Sequence, residues 1–313
     1  MKDLLSELRT LVGPVNVLTD EDDKASYETE WRGRIRGNAL AVIRPGTIQE
    51  AQTVVRLCAA QLVAIVPQGG NTGLAAGAIP DLTGSQVILS LSRLNSVRRV
   101  DRANMTATVE AGCTLQALRE TLATEGLLFP LSLGSEGTCT IGGNLATNAG
   151  GAQALRYGNA RDLCLGLEYL TADGSLVSEL GGLRKDNTGF DLRNVVIGSE
   201  GCLAIITAAT LKIQKKAPTA TLCAWVGVKD VDDAVNLLQL SQSTLGTAVS
   251  CFEIMNRASL ELVARAFPQA SIPFLENQDV SQWVLLQLTA LSHTKRCKRK
   301  WRMCWPMPWT TLC

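Results

Sequence analysis

The sequence predicts an α+β protein built from two units. Three observations carry that reading. Strand and helix patterns alternate through residues 39–125, two glycine-rich and nearly uncharged segments interrupt them, and a second series of strands and helices opens after Pro218. The first element is "ALAVIRPG", residues 39–46, a short strand closed by Pro45-Gly46. Thr47 then opens a helix, and Glu50 completes a capping-box pattern. Ile48, Ala51, Val55 and Leu62 approximate the spacing of one helical face.

"LVAIVPQGG" is a β-branched run that stops at Pro67, and "SQVILSLS" and "MTATVEAG" read as further strands. Thr114 caps a second helix that carries Leu115, Leu118 and Leu122 on one side. Periodicity fades from Phe129 to Gly151. Strands resume in "LGLEYLTADGSLVSE", where Asp173-Gly174 is a two-residue hairpin turn. "NVVIGSEGCLAIITAATLKI" reads as a buried strand, a glycine turn and another strand. Beyond Pro218 come the strand "TATLCAWVGV", a helix near Val231–Leu240, the strand "TAVSCFEIM", a helix near Ala258–Ala266 and the strand "WVLLQLT".

Bulk properties exclude several function classes. The chain has 313 residues, enough for two domains, and its 30 basic and 29 acidic residues give no polyanion signature, so no nucleic-acid partner is expected. No apolar run reaches the roughly 18 residues of a membrane span. The start, "MKDLLSELRT", is amphipathic and of mixed charge, unlike a secretory signal, and points to a cytoplasmic protein. Ten cysteines, Cys58, Cys113, Cys139, Cys164, Cys202, Cys223, Cys251, Cys297, Cys304 and Cys313, stand singly with no C-x-x-C pair and read as free apolar thiols. Cys164 and Cys202 are expected inside strands.

The last residues, Leu291 to Cys313, follow different rules. They hold Lys295, Arg296, Lys298, Arg299, Lys300 and Arg302 with no acid, three of the six tryptophans (Trp301, Trp305, Trp309) and the only histidine, His293. An out-of-frame continuation is the expected cause. A basic tail that binds nucleic acid or a membrane is the rival reading.

Two segments carry the candidate chemistry. "PQGGNTGLAAG", Pro67 to Gly77, follows an apolar strand. Glycine leaves N–H groups uncovered, so successive amides can converge on an anion, with Asn71 and Thr72 as short donors. No lysine follows as in G-x-x-x-x-G-K-[ST], and no G-x-G exists anywhere in the chain, so neither a P-loop nor a dinucleotide fingerprint turn is present. What remains is phosphate binding by backbone amides, or an ordinary turn. The second segment, "PLSLGSEGTCTIGGNLATNAGG", has Glu136 as its sole charge. Apolar residues with a few uncharged donors, among them Ser135, Thr138, Asn144, Thr147 and Asn148, suit a large heteroaromatic cofactor.

"PQGGNTGL", "LGSEGTCTIGGNLATNAGG", "RYGNARDLCLGLEYLTADG", "LRKDNTGFDL" and "IGSEGCLAIIT", in that order, resemble the FAD-linked oxidase family, whose FAD-binding domain is that of p-cresol methylhydroxylase and vanillyl-alcohol oxidase. Within it the chain is similar to D-2-hydroxyacid dehydrogenases of the D-2-hydroxyglutarate and D-lactate type, from about the N-terminus to Thr289. The resemblance implies an N-terminal segment over 1–38, a two-subdomain PCMH-type FAD-binding domain over 39–217, an incomplete α+β, ferredoxin-like cap domain over 218–290 and an aberrant basic tail over 291–313. Pro67, Gly69, Gly70, Asn71, Thr72, Gly73 and Leu74 would hold the pyrophosphate. Gly134, Ser135, Thr138, Ile141, Gly142, Gly143, Asn144, Thr147, Asn148 and Ala149 would run beside the ribityl chain and flavin ring, and Gly201, Ile205 and Ile206 match the last cofactor strand.

The resemblance also implies the reaction: oxidation of a D-2-hydroxyacid to the 2-oxoacid by hydride transfer to the flavin, which an electron acceptor then reoxidises. No histidine lies in either glycine-rich segment, so FAD is expected to bind non-covalently, with Cys139 a packed thiol rather than a flavin link. Arg184 and Lys185, in "LRKDNTGFDL", are candidates to orient a carboxylate substrate, against the alternative of a solvated loop. The family's catalytic base and metal ligands lie beyond the matching region, so no metal site and an impaired enzyme are expected, or an FAD-binding remnant without turnover. An incomplete cap would expose apolar strand surface and favour association into a homo-oligomer.

Overall fold

The computed structural model describes residues 2–216, 220–290 and 310–312. It divides into two compact units. The first holds the residues up to Ala149 together with Asn159–Lys215, and the second gathers Gly150–Gly158 with the described residues from Lys216 onward. Pro218, the expected boundary, falls among residues 217–219, outside the described residues. The excursion of Gly150–Gly158 into the second unit has no signature in the sequence.

The first unit opens with α1 (Lys2–Val12), β1 (Val17–Leu18), α2 (Glu21–Glu28), β2 (Ala41–Ile43), α3 (Ile48–Ala60), β3 (Ile65–Gln68) and β4 (Val87–Ser90). These strands form one sheet in the order β1-β2-β4-β3, in which β4 pairs in parallel with both β2 and β3. Every residue of β2 and β4 is buried, as expected of parallel strands covered on both faces. Helix α1 buries Leu4, Leu8 and Val12, one residue per turn, so the N-terminal segment is part of this core.

The capping pattern at Thr47 forms as expected. Its Oγ1 accepts the Glu50 N–H at 3.1 Å, and the Glu50 carboxylate takes the Gly46 N–H at 2.6 Å. Leu62, expected on the buried face of α3, instead lies past the helix end, left-handed at φ 55° and 95 % exposed.

The unit continues with β5 (Val97–Asp101), β6 (Thr106–Glu110), α4 (Leu115–Thr124), β7 (Leu127–Leu128) and α5 (Ile141–Ala146). After α6 (Ala154–Tyr157), which belongs to the second unit, come β8 (Cys164–Leu170), β9 (Leu176–Glu179), α7 (Leu192–Val196), β10 (Ile205–Lys212) and β11 (Gln214–Lys215). An antiparallel sheet runs β5-β6-β10-β8-β9, and β7 pairs with β11. Thr114 caps α4 by accepting the Ala117 N–H at 3.2 Å. The β8–β9 turn is the expected one, with Gly174 at φ 76° and the Asp173 carboxylate taking the Ser175 N–H at 3.0 Å.

One expectation is corrected. "NVV" is the end of helix α7, because Asp191 caps it by accepting the Asn194 N–H at 3.2 Å, and local capping overrides the β preference of two adjacent valines.

In the second unit the described elements are α6, β12 (Ala220–Val228), α8 (Val231–Leu245), β13 (Val249–Asn256), α9 (Arg257–Ala266), β14 (Gln282–Ala290) and β15 (Thr310–Leu312). They form an antiparallel sheet in the order β13-β14-β12-β15. One face packs Ala224, Val226, Val284, Leu286 and Leu288 with Ala234 and Leu237 of α8. The alternation of β14 sends Trp283 to the other face, against Leu260 and Val280. Of the basic tail, residues 291–309 and 313 lie outside the described residues, and Thr310–Leu312 pair with Val226–Ala224.

Candidate functional site

The first glycine tract leaves β3 at Gln68, whose buried side chain donates to the carbonyls of Tyr27 and Ala78, both at 2.8 Å. Asn71 turns the chain in the left-handed region, at φ 49°, and its Nδ2 donates to Thr29 O at 2.8 Å and to Ser26 O at 3.3 Å. The side-chain amide expected to meet phosphate is therefore committed to anchoring the loop. Among the described residues, the N–H groups of Gly70, Asn71, Thr72 and Gly73 find no hydrogen-bond acceptor. A left-handed residue within a run of free amides is the backbone pattern of an anion nest. Leu74, expected beside the pyrophosphate, is 56 % exposed.

The second tract is folded rather than stretched out. Residues 134–138 form a turn in which Thr138 N and Cys139 N both donate to Ser135 O, at 2.9 and 2.8 Å. Helix α5 follows, with Thr140 Oγ1 accepting the Gly143 N–H. Ile141 is buried, and so is Asn144, whose Nδ2 points at Cys139 Sγ at 3.6 Å; the backbone N–H groups of both are bonded as well, to Cys113 O and Thr140 O. Cys139 is a packed thiol. Thr147 is exposed, with its hydroxyl given to Gly143 O at 3.0 Å. Asn148 is left-handed, at φ 47°, and its Oδ1 accepts the Arg161 N–H at 3.0 Å; Ala149 O accepts the Ala160 N–H at the same distance.

The two tracts meet. A Cβ on Gly70 would overlap the Thr138 carbonyl oxygen, one on Gly69 would overlap Thr140 Oγ1, and one on Gly142 would lie 2.6 Å from Ala111 Cβ. These glycines are small because other protein atoms, backbone at Gly70 and side chain first at Gly69 and Gly142, pack against them. Gly73 and Gly134 differ: no heavy atom lies within 4 Å of the position a Cβ would take, so both open onto free space. The third motif closes on the same loops. Gly201, at φ 81°, leaves only 3.1 Å between a Cβ and Pro67 Cγ, and Glu200 Oε2 lies 3.0 Å from the position of a Gly77 Cβ. Ile205 and Ile206 are buried in β10, opposite Leu170 and Tyr169.

Sequence reasoning missed the residues that lock this arrangement. Arg161 donates to Ile197 O at 2.6 Å and to Asn194 O, which ties α7 to the Asn148 turn. Glu30 accepts the N–H groups of Arg32 and Arg34 at 2.7 and 2.8 Å, which hold its carboxyl below the usual carboxylate range and fix the hairpin beside Thr29. Both act through contacts distant from the motifs they serve. Arg184 and Lys185 are exposed, and Arg184 donates to Asn104 O at 3.3 Å. Cys202 is corrected from a strand interior to an exposed turn, set by the left-handed residues Glu200 and Gly201. No helix among the described residues is long and apolar enough to cross a membrane.

The run of free amides and the two glycines facing open space are compatible with FAD, and the comparisons with known proteins point to the same cofactor. Residues 39–179 match the family described as FAD binding domain. A mitochondrial D-2-hydroxyglutarate dehydrogenase of Arabidopsis thaliana is 35% identical over 290 residues, 93% of this chain and 51% of the relative. The mitochondrial D-2-hydroxyglutarate dehydrogenase of Bos taurus is 38% identical over 262 residues, 84% of this chain and 47% of the relative. The chain thus spans about half the length of the curated relatives it matches. A crystal structure of p-cresol methylhydroxylase with substrate bound superposes with a TM-score of 0.74 at 18% identity, over 96% of this chain and 62% of that one.

Both of these relatives are named as mitochondrial proteins, which overturns the cytoplasmic expectation. The physical reason is that "MKDLLSELRT" patterns helix α1 for the core, so its charge pattern reports packing rather than compartment. The mixed helix and sheet of the chain follow the fold of the p-cresol methylhydroxylase structure, and residues 39–179, with their amide-lined loop, resemble the FAD binding domain family.

Proposed function

We propose that this chain is the FAD-holding part of an oxidoreductase that converts a D-2-hydroxyacid, of the 2-hydroxyglutarate or lactate type, to the 2-oxoacid. The run of free amides from Gly70 to Gly73, seated against Thr138 and Thr140, carries the cofactor half of this reading. The relatives named above support the substrate half. FAD, when bound, supplies the acceptor for the hydride that leaves the hydroxyacid Cα.

The chain's own residues do the rest of what is assigned here. The amides at 70–73 neutralise pyrophosphate oxygens without a lysine, and Gly73 and Gly134 admit the cofactor where a side chain would stand in its way. Arg184 and Lys185, both exposed, orient the substrate carboxylate. Residues 39–217 form the cofactor domain, and 218–290 begin the cap. FAD is held without a covalent bond, because Cys139 is buried beneath Asn144 and the chain's one histidine is His293.

A second reading is FAD binding without turnover. One preparation separates the readings. Purified protein is expected to be yellow and to release FAD into the supernatant on acid precipitation. Anaerobic D-2-hydroxyglutarate or D-lactate then bleaches the flavin if the chain turns over. A colourless folded protein that takes up no FAD would sink both readings.

A further inference from the structure

The carboxylate of Glu168 is buried and has no role assigned to it above. It sits in the middle of β8, and four hydrogen bonds converge on it. Arg98 Nη1 donates to Oε1 at 3.1 Å and to Oε2 at 3.2 Å, Ser178 Oγ of β9 to Oε2 at 3.2 Å, and Thr207 Oγ1 of β10 to Oε1 at 3.1 Å. Arg98 also pairs with Glu110 of β6 at 3.1 Å, so the network touches all five strands of the antiparallel sheet. Two of its members are bulge residues. The β5–β6 register shifts between Val97 and Arg99, and the β10–β8 register shifts between Ile206 and Ala208, which leaves Arg98 and Thr207 as the extra residues. A bulge re-aims the side chains next to it, and here the neighbours on β10 are Ile205 and Ile206.

The bulge is also wired to the second glycine tract. Thr207 O accepts the Ala111 N–H at 2.8 Å, and Ala111 O accepts the Gly142 N–H at 2.8 Å. Ala111 is the residue that leaves no room for a side chain at Gly142. Only three hydrogen bonds therefore separate the Glu168 carboxylate from the first turn of α5. Thr207 is fully buried, so a valine in its place keeps the shape but puts a methyl group where the hydroxyl was, leaving the Glu168 carboxylate one donor short.

We infer that Glu168, acting through the Thr207 hydroxyl, is a positioning residue for FAD, setting the β10 bulge and with it the Gly142 end of the cofactor tract. This rests on the FAD reading above. The test uses the full chain, stripped of flavin and retitrated with FAD, with the visible circular dichroism of the bound flavin as a second readout. Thr207→Val and Glu168→Gln are each expected to raise the FAD Kd about tenfold, a decade being about 1.4 kcal/mol and near the lower end of what a hydrogen bond to a charged group contributes. Both are expected to alter the flavin dichroism, and Thr207→Ser is expected to bind as the unaltered chain does. The double variant Glu168→Gln/Thr207→Val is expected to fall short of the sum of the two singles, because Gln weakens and Val removes the same charge-assisted bond.

Folded variants that keep the original Kd and dichroism overturn the inference, as does a Thr207→Ser chain as weak as Thr207→Val. Should Glu168→Gln fail to fold, the serine and valine pair carries the test alone. If the unaltered chain itself takes up no FAD, the cofactor reading fails with it, a result visible before any variant is made.

Discussion

A Cβ on Gly70 would overlap the carbonyl oxygen of Thr138, so the two glycine tracts meet backbone to backbone at that point. Gly73, three residues on, has nothing within 4 Å of the same position. The two glycines therefore fail in different ways. Gly70→Ala must push one main chain off another and is expected to cost about 1–3 kcal/mol, as overpacked sites do, lowering the thermal midpoint of the apoprotein and abolishing FAD uptake. Gly73→Ala is expected to leave that midpoint unchanged and to weaken FAD binding alone. Equal FAD affinity in Gly73→Ala and the unaltered chain would remove Gly73 from the site.

Asn71 serves as anchor and turn at once. Removing its amide in Asn71→Ala deletes the bonds to Thr29 O and Ser26 O and places a Cβ residue at φ 49° without local compensation. A loss of about 1–2 kcal/mol is expected from the bonds, with a further backbone cost of about 1 kcal/mol. Asn71→Gly recovers the backbone part and not the anchor. Urea unfolding of the three chains should therefore order them unaltered, Gly, Ala; a Gly variant less stable than Ala would contradict the left-handed turn.

Much of the fold was legible because the deciding signals are local. Thr47 with Glu50, Thr114 before its helix and Asp173-Gly174 each act within four residues, and each forms in the structure. Val195 and Val196 misled because a cap at Asp191, also local, outweighs strand preference. The site was legible only in part. That the tracts matter could be read from their glycines. Gly69, Gly70 and Gly142, however, are dictated by Thr140, Thr138 and Ala111, whose approach depends on tertiary packing. The same holds for Arg161, Glu30 and Glu168, whose partners lie on other elements or, for Glu30, in a tight hairpin without periodicity.

Cysteine chemistry separates surface from core. Burial pushes the thiols of Cys58 and Cys113 up to about 11 and that of Cys164 up to about 12, while Cys202 is exposed. Since only the thiolate attacks, a raised value keeps these buried groups protonated and inert near neutral pH. Brief iodoacetamide treatment of the native protein, followed by peptide mass spectrometry, is expected to label Cys202 well before Cys58, Cys113 or Cys164. Early labelling of Cys164 would mean that β8 opens readily, contrary to its place between β10 and β9.

The last prediction concerns acid. The N–H groups of Arg32, first, and of Arg34, second, hold the Glu30 carboxyl below its ordinary value. A carboxyl depressed by folding adds stability that is complete above its unfolded value, about 4.3, and that disappears as the pH falls through the lower, folded value. The hairpin from Thr29 to Arg36, to whose base Asn71 is bonded, should therefore stay closed at pH 5 and loosen only in stronger acid. Backbone amide shifts of Arg32 and Arg34, followed by NMR through an acid titration, are expected to move together with a midpoint below that of a free glutamate. In Glu30→Gln that shared transition should vanish while the hairpin amides exchange faster at pH values above it. A midpoint at the ordinary glutamate value would show that the two N–H groups do not hold the carboxylate, and the closed hairpin would then need another cause.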